Sequence, residues 1–361
     1  MKKYKVGIIG CGGIANWCHA PFYKDDARVE VVAVCDIILE RAEKFAADHF
    51  PGAEPIKEYK KLLARKDIDY VDICTPNYLH SEIAIAAFKA GKHVFCEKPD
   101  AVSPEKAIAM KEAADKAGKR LMIMRNNRFT DPSAYAKKFI EAGNMGKIYA
   151  GRCAWQRRRG IPGAGGWFTT KKQSGGGPLI DLGVHMIDLA IWLMGNPTPV
   201  SVSGNCFREF ADSTVSDSDN SKFGDAKAGG TFDVEDLAMG LIRFDNGAVL
   251  QIEFSWASNV KKEQRFVELR GTKAGLNWLN GDELEIYGED NGQLTDFRLA
   301  GNLKDDGHRR NLSHFVDVLD GKAKPCFEPI QGINMIKILD AMYKSAKTGA
   351  EVRLNQSKAK K

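Results

Sequence analysis

The sequence lacks the patterns that mark metal-binding, disulfide-bonded and membrane proteins. Its eight cysteines include no Cys-x-x-Cys pair, so we expect free thiols, no disulfide framework and no bound metal. Apolar runs such as Val29–Cys35 have the length of a strand, whereas a membrane span needs about 20 residues. A strand and glycines follow Met1 in place of a signal peptide, and we expect a cytoplasmic protein without a membrane partner.

The chain also lacks a strong charge of one sign. Its 361 residues have a formal net charge of +6, and 43% hydrophobic with 28% charged residues is typical of globular proteins. Basic residues cluster at Arg157–Arg159 and in the tail at Lys358, Lys360 and Lys361, but no nucleic-acid motif accompanies them. We therefore expect no nucleic-acid partner, and we interpret the tail as a solvated end.

What the sequence does have is an amino-terminal third in which strands alternate with helices. Lys5–Ile9 is a short apolar strand, and the spacing Gly10-x-Gly12-x-x-Ala15 leads from it into a helix that begins near Ile14. In a dinucleotide-binding turn, the first glycine permits the tight turn and the second lets a pyrophosphate approach the backbone. The third small residue lets the helix pack against the strand.

Asp36 strengthens the interpretation of this turn. It ends a second buried strand, Val29–Cys35, about 20 residues beyond the glycines, where a carboxylate can accept hydrogen bonds from the hydroxyls of an adenosine ribose. The alternative is a turn residue, or the cap of a helix that starts near Ile38. Ile37 favours NAD over NADP, since no Arg or Ser follows Asp36 to receive a 2′-phosphate.

Two further strand–helix pairs follow: Tyr70–Thr75 with Leu79–Ala90, and His93–Cys96 with Pro104–Ala117. Such alternation predicts right-handed crossovers and a parallel sheet covered on both faces. After the first of these strands, Thr75-Pro76-Asn77 is either a rigid bend pressed against a cofactor or a plain turn into the next helix.

Lys98 follows the second of these strands, between Glu97 and Pro99. A lysine in this place is usually a solvated loop residue. The alternative is a catalytic group whose backbone is fixed by its neighbours and whose charge is paired by Glu97.

The alternation stops after the strand Leu121–Met124, at Asn126-Asn127-Arg128, which predicts one domain over residues 1–127 and another over 128–361. Longer strands follow, joined by hairpin turns: Lys147–Gln156, Val200–Cys206, Asp236–Phe244, Ala248–Trp256 and Phe266–Arg270. The predicted fold is an α/β Rossmann domain plus an α+β domain with a large, mostly antiparallel open sheet. Residues 211–230, rich in Ser, Asp, Gly and Lys, are expected to form an exposed loop.

One helix in the second domain combines apolar and ionisable residues. It is predicted from Pro178 to about Met194, after Gly175-Gly176-Gly177, with Gly195 as its stop. Both flanks are apolar, while one stripe holds Asp181, His185, Asp188 and Trp192. A polar stripe on a buried helix must face a cavity, a partner or an internal network. The histidine is therefore either structural or a functional group whose proton affinity is tuned by its carboxylate neighbours.

Together these motifs resemble the Gfo/Idh/MocA family of sugar oxidoreductases. The similarity extends over nearly the whole chain and includes the glycine turn, Asp36, Cys74-Thr75-Pro76-Asn77 with His80, Glu97-Lys98-Pro99, the three glycines leading to Asp181 and His185, and Asp236–Trp256. It implies a Rossmann domain and a second domain whose open sheet makes oligomer contacts, in a homodimer or homotetramer, with NAD(P) and substrate between the two domains. The cofactor contacts expected from it are Gly10, Gly12, Gly13, Ile14, Asp36, Ile37, Thr75, Pro76, Asn77, His80, Glu97, Lys98 and Asn127.

Members of this family oxidise a sugar or polyol hydroxyl by direct hydride transfer to the nicotinamide. An alcohol gives up hydride readily only as its proton leaves, so a base must reach the hydroxyl. By this resemblance His185 is the base, Lys98 stabilises the developing alkoxide, and Asp181 orients substrate or imidazole.

The resemblance also guides the choice of substrate. The run Gln156–Trp167 is most similar to members that act at the 3-position of glucosides. Arg157–Arg159 either binds an acidic substrate or forms a solvated or intersubunit basic face, and Trp155, Trp167 and Phe168 suit sugar rings. Two other functions within the family stay open: a glycosidase that uses NAD transiently, and a non-catalytic NAD-responsive binding protein.

Overall fold

The computed structural model describes residues 3–213, 215–216 and 218–354. By compactness the chain divides into two units, one of Met1–Met124 with His308–Ile336 and the other of Arg125–Gly307 with Lys337–Lys361. The predicted tail with Lys358 lies outside the described residues. Of the expected loop at 211–230, the described part contains a short 3-10 turn, Asp219–Lys222.

The first unit is built on a parallel sheet. Its strands are β1 (Tyr4–Ile9), β2 (Val29–Cys35), β3 (Glu54–Ile56), β4 (Tyr70–Ile73), β5 (His93–Cys96) and β6 (Leu121–Ile123). Their order is β3-β2-β1-β4-β5-β6, and every neighbouring pair is parallel. The central strands are buried on both faces, which explains their nearly continuous apolar sequences.

The second unit contains a larger sheet. Its strands are β7 (Ile148–Gln156), β8 (Pro199–Phe207), β9 (Leu237–Phe244), β10 (Val249–Ser255), β11 (Gln264–Gly271), β12 (Gly275–Leu279), β13 (Glu283–Asp290), β14 (Gln293–Arg298) and β15 (Val352–Arg353). The order is β14-β13-β12-β11-β7-β10-β9-β8-β15, antiparallel except between β7 and β10. The predicted fold class is confirmed for both units.

The described α-helices are α1 (Ala20–Asp25), α2 (Leu39–His49), α3 (Tyr59–Ala64), α4 (His80–Lys89), α5 (Pro104–Ala117), α6 (Asp131–Glu141), α7 (Lys171–Ser174), α8 (Val184–Leu193), α9 (Gly307–Leu319) and α10 (Pro329–Thr348). Local sequence explains their ends. Helix α5 begins after Ser103, whose hydroxyl accepts from the Lys106 amide, and stops at Gly118 with a φ of 59°.

Two helices begin with a π-turn. Ala15–His19 precedes α1, and Leu179–Gly183 precedes α8. The helix predicted from Pro178 to Met194 is therefore not a regular α-helix over its first turn, and π-turns occur often at functional sites.

The unit boundaries differ from the predicted division at residue 127. Residues 125–127 belong to the second unit, and 308–336 belong to the first. Phe315 of α9 packs beside the parallel sheet, with its ring centre 5.3 Å from that of Tyr70 and 5.5 Å from that of Phe95. An amphipathic pattern shows that a helix has a buried face, but it does not say which sheet that face meets.

One helical stretch, Lys171–Leu193, could cross a membrane by length and composition alone. Its most apolar window is 78% buried inside the folded chain. Such burial is typical of a core helix.

Candidate active site

The glycine turn leaves open space above its backbone. Gly10 has a φ of 100°, and a Cβ there would lie 2.6 Å from the carbonyl of Cys74, so only glycine fits without strain. A Cβ on Gly12 would meet nothing within 4 Å, and one on Gly13 would reach only the Trp17 ring. A pyrophosphate needs this kind of close access to the backbone. The turn therefore fits a dinucleotide.

Asn16 holds this turn in place and was not predicted. Its Nδ2 donates to the carbonyls of Cys11 and Gly12 at 3.1 and 2.8 Å. Its Oδ1 lies 2.9 Å from Nε2 of His49. Ile14, expected at the cofactor, lies partly buried in the first turn of the same helix.

Asp36 is hydrogen-bonded through both of its oxygens. Oδ2 accepts from the Cys11 amide at 3.0 Å, and Oδ1 accepts from the Ile38 amide at 2.9 Å. The residue stays partly exposed, and Ile37 beside it is 77% exposed. Asp36 thus binds the backbone of the glycine turn, while an ionised carboxylate keeps further acceptor capacity for a ribose hydroxyl.

The end of β4 contains an unsatisfied hydroxyl. Thr75 Oγ1 is buried and has no hydrogen-bond partner among the described residues. Pro76 is partly exposed, and Asn77 is buried where a 3-10 turn begins. An unpaired buried hydroxyl is costly. The Thr75 hydroxyl therefore favours the cofactor-facing interpretation of this segment over a plain turn.

His80 lies beneath that segment. It is fully buried, with Nδ1 2.8 Å from the Pro99 carbonyl oxygen and Nε2 2.8 Å from that of Thr75. Burial lowers the pKa of His80, and the hydrogen bonds to the two carbonyls oppose that effect. The imidazole fastens the Thr75 turn to Pro99, and its ring nitrogens face the protein's own backbone.

Glu97 points into the protein. It is 4% exposed, its Oε1 lies 2.9 Å from Nε2 of His19, and its Oε2 accepts from the Lys98 amide at 3.1 Å. Lys98 is partly exposed, and its peptide bond to Pro99 is cis. The carboxylate predicted at the cofactor is therefore engaged by the protein itself.

In the second unit, the three glycines allow close packing before α8. Gly175 has a φ of 88°, a Cβ on Gly176 would collide with the Tyr343 hydroxyl, and a Cβ on Gly177 would collide with the Glu235 carbonyl. Glu235 Oε1 accepts from the Leu179 amide at 3.2 Å and from Tyr343 at 2.9 Å. Burial raises the pKa of Glu235. This packing fixes the start of the helical segment that contains Asp181 and His185.

Asp181 and His185 are partly exposed on an otherwise buried helix. Asp181 Oδ2 accepts from Trp256 Nε1 at 3.0 Å. The ring centre of His185 lies 5.8 Å from that of Trp155. A histidine and an oriented carboxylate beside an aromatic face suit a general base and a sugar ring.

The predicted polar stripe divides in two. Asp188 is 5% exposed and pairs with Arg128, whose Nε and Nη2 donate to it at 2.7 Å each. Arg125 Nε lies 2.9 Å from the same carboxylate. Trp192 lies against cations, with the Arg128 guanidinium 5.7 Å and the Lys137 ammonium 5.1 Å from its ring centre. Asp188 therefore anchors the helix, and Asp181 is the carboxylate that stays near His185.

The three consecutive arginines have different environments. Arg157 is buried, donates to the Gly160 carbonyl at 3.2 Å, and lies 5.3 Å from the Trp155 ring centre. Burial lowers the pKa of Arg157, and the charge of Asp181 opposes that effect. Arg158 is exposed, while Arg159 donates to the Ser258 carbonyl at 2.8 Å. A uniformly solvated basic face is therefore wrong for Arg157.

Asn127, expected at the cofactor, belongs to the second unit and is 2% exposed. Its Nδ2 lies 3.7 Å from the Met186 sulfur, and its Oδ1 accepts from Asn126 at 3.3 Å. These contacts tie the segment to α8.

Comparison with known proteins matches both units. Residues 4–124 match a family described as "Oxidoreductase family, NAD-binding Rossmann fold", and residues 133–277 match the "GFO/IDH/MocA C-terminal domain". The chain belongs to the Gfo/Idh/MocA oxidoreductase family.

Named members of the Gfo/Idh/MocA family align along most of the chain. D-glucoside 3-dehydrogenase of Escherichia coli (strain K12) is 34% identical over 351 residues, 97% of each chain. The NADP-dependent scyllo-inositol 2-dehydrogenase of Bacillus subtilis (strain 168) is 28% identical over 364 residues, 98% of this chain and 97% of its own. The structure of levoglucosan dehydrogenase with NADH and levoglucosan superposes with a TM-score of 0.84 and 26% identity, covering 98% and 100% of the two chains.

The protein is thus a family oxidoreductase with an NAD-binding Rossmann domain, and its glycine turn fits that cofactor class. Sequence reasoning missed His19, Asn16 and Glu235 in this Gfo/Idh/MocA chain. Their partners lie far away in sequence or on the backbone, so no local pattern marks them. His19 could have been noticed only as an isolated histidine within an apolar helix.

Proposed function

We propose that the protein is an NAD-dependent dehydrogenase that oxidises a hydroxyl-bearing carbon of a sugar, glycoside or polyol. Within that class, we propose that the carbon oxidised is the 3-position of a glucoside. The observation that supports this best is the pairing of partly exposed His185 with Trp155, next to an Asp181 oriented by Trp256. The likeness to D-glucoside 3-dehydrogenase, at 34% identity over nearly the full length, supports the choice of substrate.

In this proposal each side chain has one task. NAD, when bound at the turn of Gly10 and Gly12, supplies the hydride acceptor. His185 removes the hydroxyl proton, since a base is needed as the C–H bond breaks. Lys98 donates to the same oxygen and stabilises its developing negative charge, and Asp181 orients the imidazole or a substrate hydroxyl.

Two variants test this mechanism. His185→Ala and Lys98→Met should each lower kcat by about 100-fold or more, as loss of a general base or of an oxyanion donor does. NAD affinity, measured by titration calorimetry, should change little in His185→Ala. Lys89→Met, on the exposed end of α4, is the matched lysine control and should keep wild-type turnover. Wild-type turnover in both site variants would contradict the mechanism.

A screen of glycosides, free sugars and inositols identifies the reaction. NADH absorbance and released aglycone are followed in the same samples. Net NADH with an intact glycosidic bond is expected from a dehydrogenase. Bond cleavage without net NADH would show a glycosidase, and NAD binding without either product would show a binding protein.

We further propose that the second-unit sheet mediates a homodimer or homotetramer. The face away from α8 exposes apolar side chains, including Met239, which is 38% exposed, and the partly exposed Phe266. Arg152 and Glu268 pair on the same face at 2.8 Å. Sedimentation equilibrium should show an oligomer that Phe266→Glu weakens. Ile330→Glu, at a side chain of α10 that is 50% exposed and belongs to the first unit, serves as the control.

A further inference from the structure

A cluster of buried ionisable side chains lies beneath the segment that contains Lys98. His19 is fully buried, with Nδ1 2.6 Å from Asp72 Oδ2 and Nε2 2.9 Å from Glu97 Oε1. The Tyr23 hydroxyl donates to Asp72 Oδ2 at 2.9 Å. The proposed chemistry uses none of His19, Asp72 and Tyr23.

The contacts of the cluster determine its protonation. An ionised carboxylate only accepts hydrogen bonds, and a neutral imidazole has a single N–H. Asp72 Oδ2 accepts from Tyr23 and also faces Nδ1 of His19, while Glu97 accepts from the Lys98 amide and faces Nε2 of His19, contacts that suit ionised carboxylates. Both ring nitrogens of His19 can donate only if the ring is an imidazolium.

Electrostatics agree with this assignment. Burial by itself would lower the pKa of His19, but Asp72 and the other groups around the ring raise it well above its ordinary value. Burial would raise the pKa of Glu97, but the hydrogen bond and charge of His19, with His308 and Lys98, lower it to about 2. Asp72 and Cys74 thus favour the charged form of His19, and His19 favours the charged form of Glu97.

A metal site is the alternative for the same atoms. Ligand atoms of His19, Asp72 and Cys74 lie within 4.8 Å of one another. Two ligands of a tetrahedral zinc ion stand about 3.3 Å apart, given bonds of about 2.0 Å. The Nδ1 to Oδ2 distance of 2.6 Å is shorter and is that of a charged hydrogen bond. The geometry favours a hydrogen-bonded network.

The network connects three elements around the proposed cofactor site. His19 ends the π-turn of the helix that follows the glycines, Asp72 lies in β4 just before Thr75, and Glu97 directly precedes Lys98. On the other side, His80 contacts the carbonyl of Pro99. The segment from Glu97 to Pro99 is therefore held at both ends.

We propose that His19 is a positioning residue that remains an imidazolium at neutral pH and, by donating to both Asp72 and Glu97, fixes the backbone of Lys98. The effect of His19 on turnover rests on the proposed function of Lys98. The charge state of His19 is independent of that proposed function.

Nitrogen NMR of protein labelled in its histidine rings tests the charge state directly. At about pH 8.5, roughly two units above the ordinary histidine pKa, both ring nitrogens of His19 should still be protonated. His49 and His314, whose pKa values burial lowers, supply neutral reference signals in the same spectrum. The signal is assigned by its loss in His19→Gln. A neutral His19 ring, or a His19 signal altered by added zinc, would overturn the proposal.

Kinetics test the positioning role. His19→Gln should lower kcat by about ten- to a hundredfold, the cost of displacing a reacting group by about 1 Å, with a smaller change in KM. The double variant His19→Gln with Glu97→Gln should regain part of that loss, because two amides can bond to each other and the buried charge of Glu97 is no longer left unpaired. A double variant no faster than the single one would refute the positioning role. Wild-type turnover in Lys98→Met would remove the proposed function and leave the NMR result standing.

Discussion

Asp36 contacts the fold through both of its oxygens and still has acceptor capacity for a ligand. Its two oxygens accept backbone hydrogen bonds from Cys11 and Ile38, as a turn or capping residue would. An ionised carboxylate has about four acceptor positions, so one remains on each oxygen. The two interpretations that the sequence left open are therefore compatible.

Asp36→Asn should weaken discrimination between the cofactors. The substitution keeps the shape and one acceptor oxygen but removes the charge that repels a 2′-phosphate. Since a hydrogen bond to a charged group contributes about 1.5–3 kcal/mol, the Kd for NAD should rise about ten- to a hundredfold. The Kd for NADP should fall or stay constant. Fluorescence titrations with both cofactors measure this, and an unchanged ratio would argue against ribose recognition by Asp36.

For individual residues, the sequence analysis could select only those that a local sequence pattern marks. The glycines, Asp36, Lys98 and His185 each stand at a strand end or on a helix with a clear pattern. His19 has no such signal, because its partners are 53 and 78 residues away. Asp188 was placed with His185 by spacing alone, whereas Arg128, 60 residues away, binds it.

At the scale of the elements, the glycine turn contains one glycine that the fold requires and another that the fold does not require. Gly10 has a positive φ and lies against the backbone of Cys74, directly after β4, so the fold needs a glycine there. Gly12 has open space where a side chain would stand. The structure therefore assigns a different reason to each glycine of one motif.

Alanine at each position tests this difference. Gly10→Ala should lower the free energy of unfolding by about 1 kcal/mol or more, because alanine is strained at positive φ. Gly12→Ala should leave the free energy of unfolding nearly unchanged while weakening NAD binding, since the methyl group would occupy the pyrophosphate position. Urea denaturation and NAD titration of both proteins provide the comparison. Full NAD affinity in a stable Gly12→Ala would exclude the turn as the binding site.

Elements with strong apolar patterns were predicted to within a few residues, as for β2 and β5. Strand β3 was missed because its three residues include a proline and only one buried side chain. Strand β14 was missed because all of its side chains are exposed, so it has no apolar alternation. Such strands are specified by pairing with a neighbour, which a local pattern does not record.

At the scale of the whole molecule, each unit is built from two separate segments of the chain, whereas the sequence predicted one continuous segment for each domain. Residues 308–336 return to the first unit after strands β7 to β14 of the second sheet, and the chain then goes back to the second sheet to add β15. The amphipathic pattern of α9 predicts a buried face but does not select the surface that covers it. Only tertiary packing therefore specifies that α9 belongs to the first unit.

Acid stability should report on the buried charges of the first unit. Glu97 has its pKa lowered from 4.5 to about 2, so its ionised form stabilises the folded protein above about pH 4.5. That contribution, on the order of 3 kcal/mol, is lost as the pH falls towards 2. Glu97→Gln should therefore be less stable than wild type at pH 7, with a gap that narrows in acid. Denaturant unfolding across this range measures the gap, and a gap independent of pH would contradict the assignment.

The two π-turns matter to anyone who would engineer this protein for robustness. Regularising either helix means deleting a residue, and every side chain beyond the deletion would rotate by about 100° around the helix axis. His19 would turn away from Asp72, and His185 would turn away from Trp155. Screens that reward thermostability alone would favour such idealised helices and lose both contacts along with the irregularity.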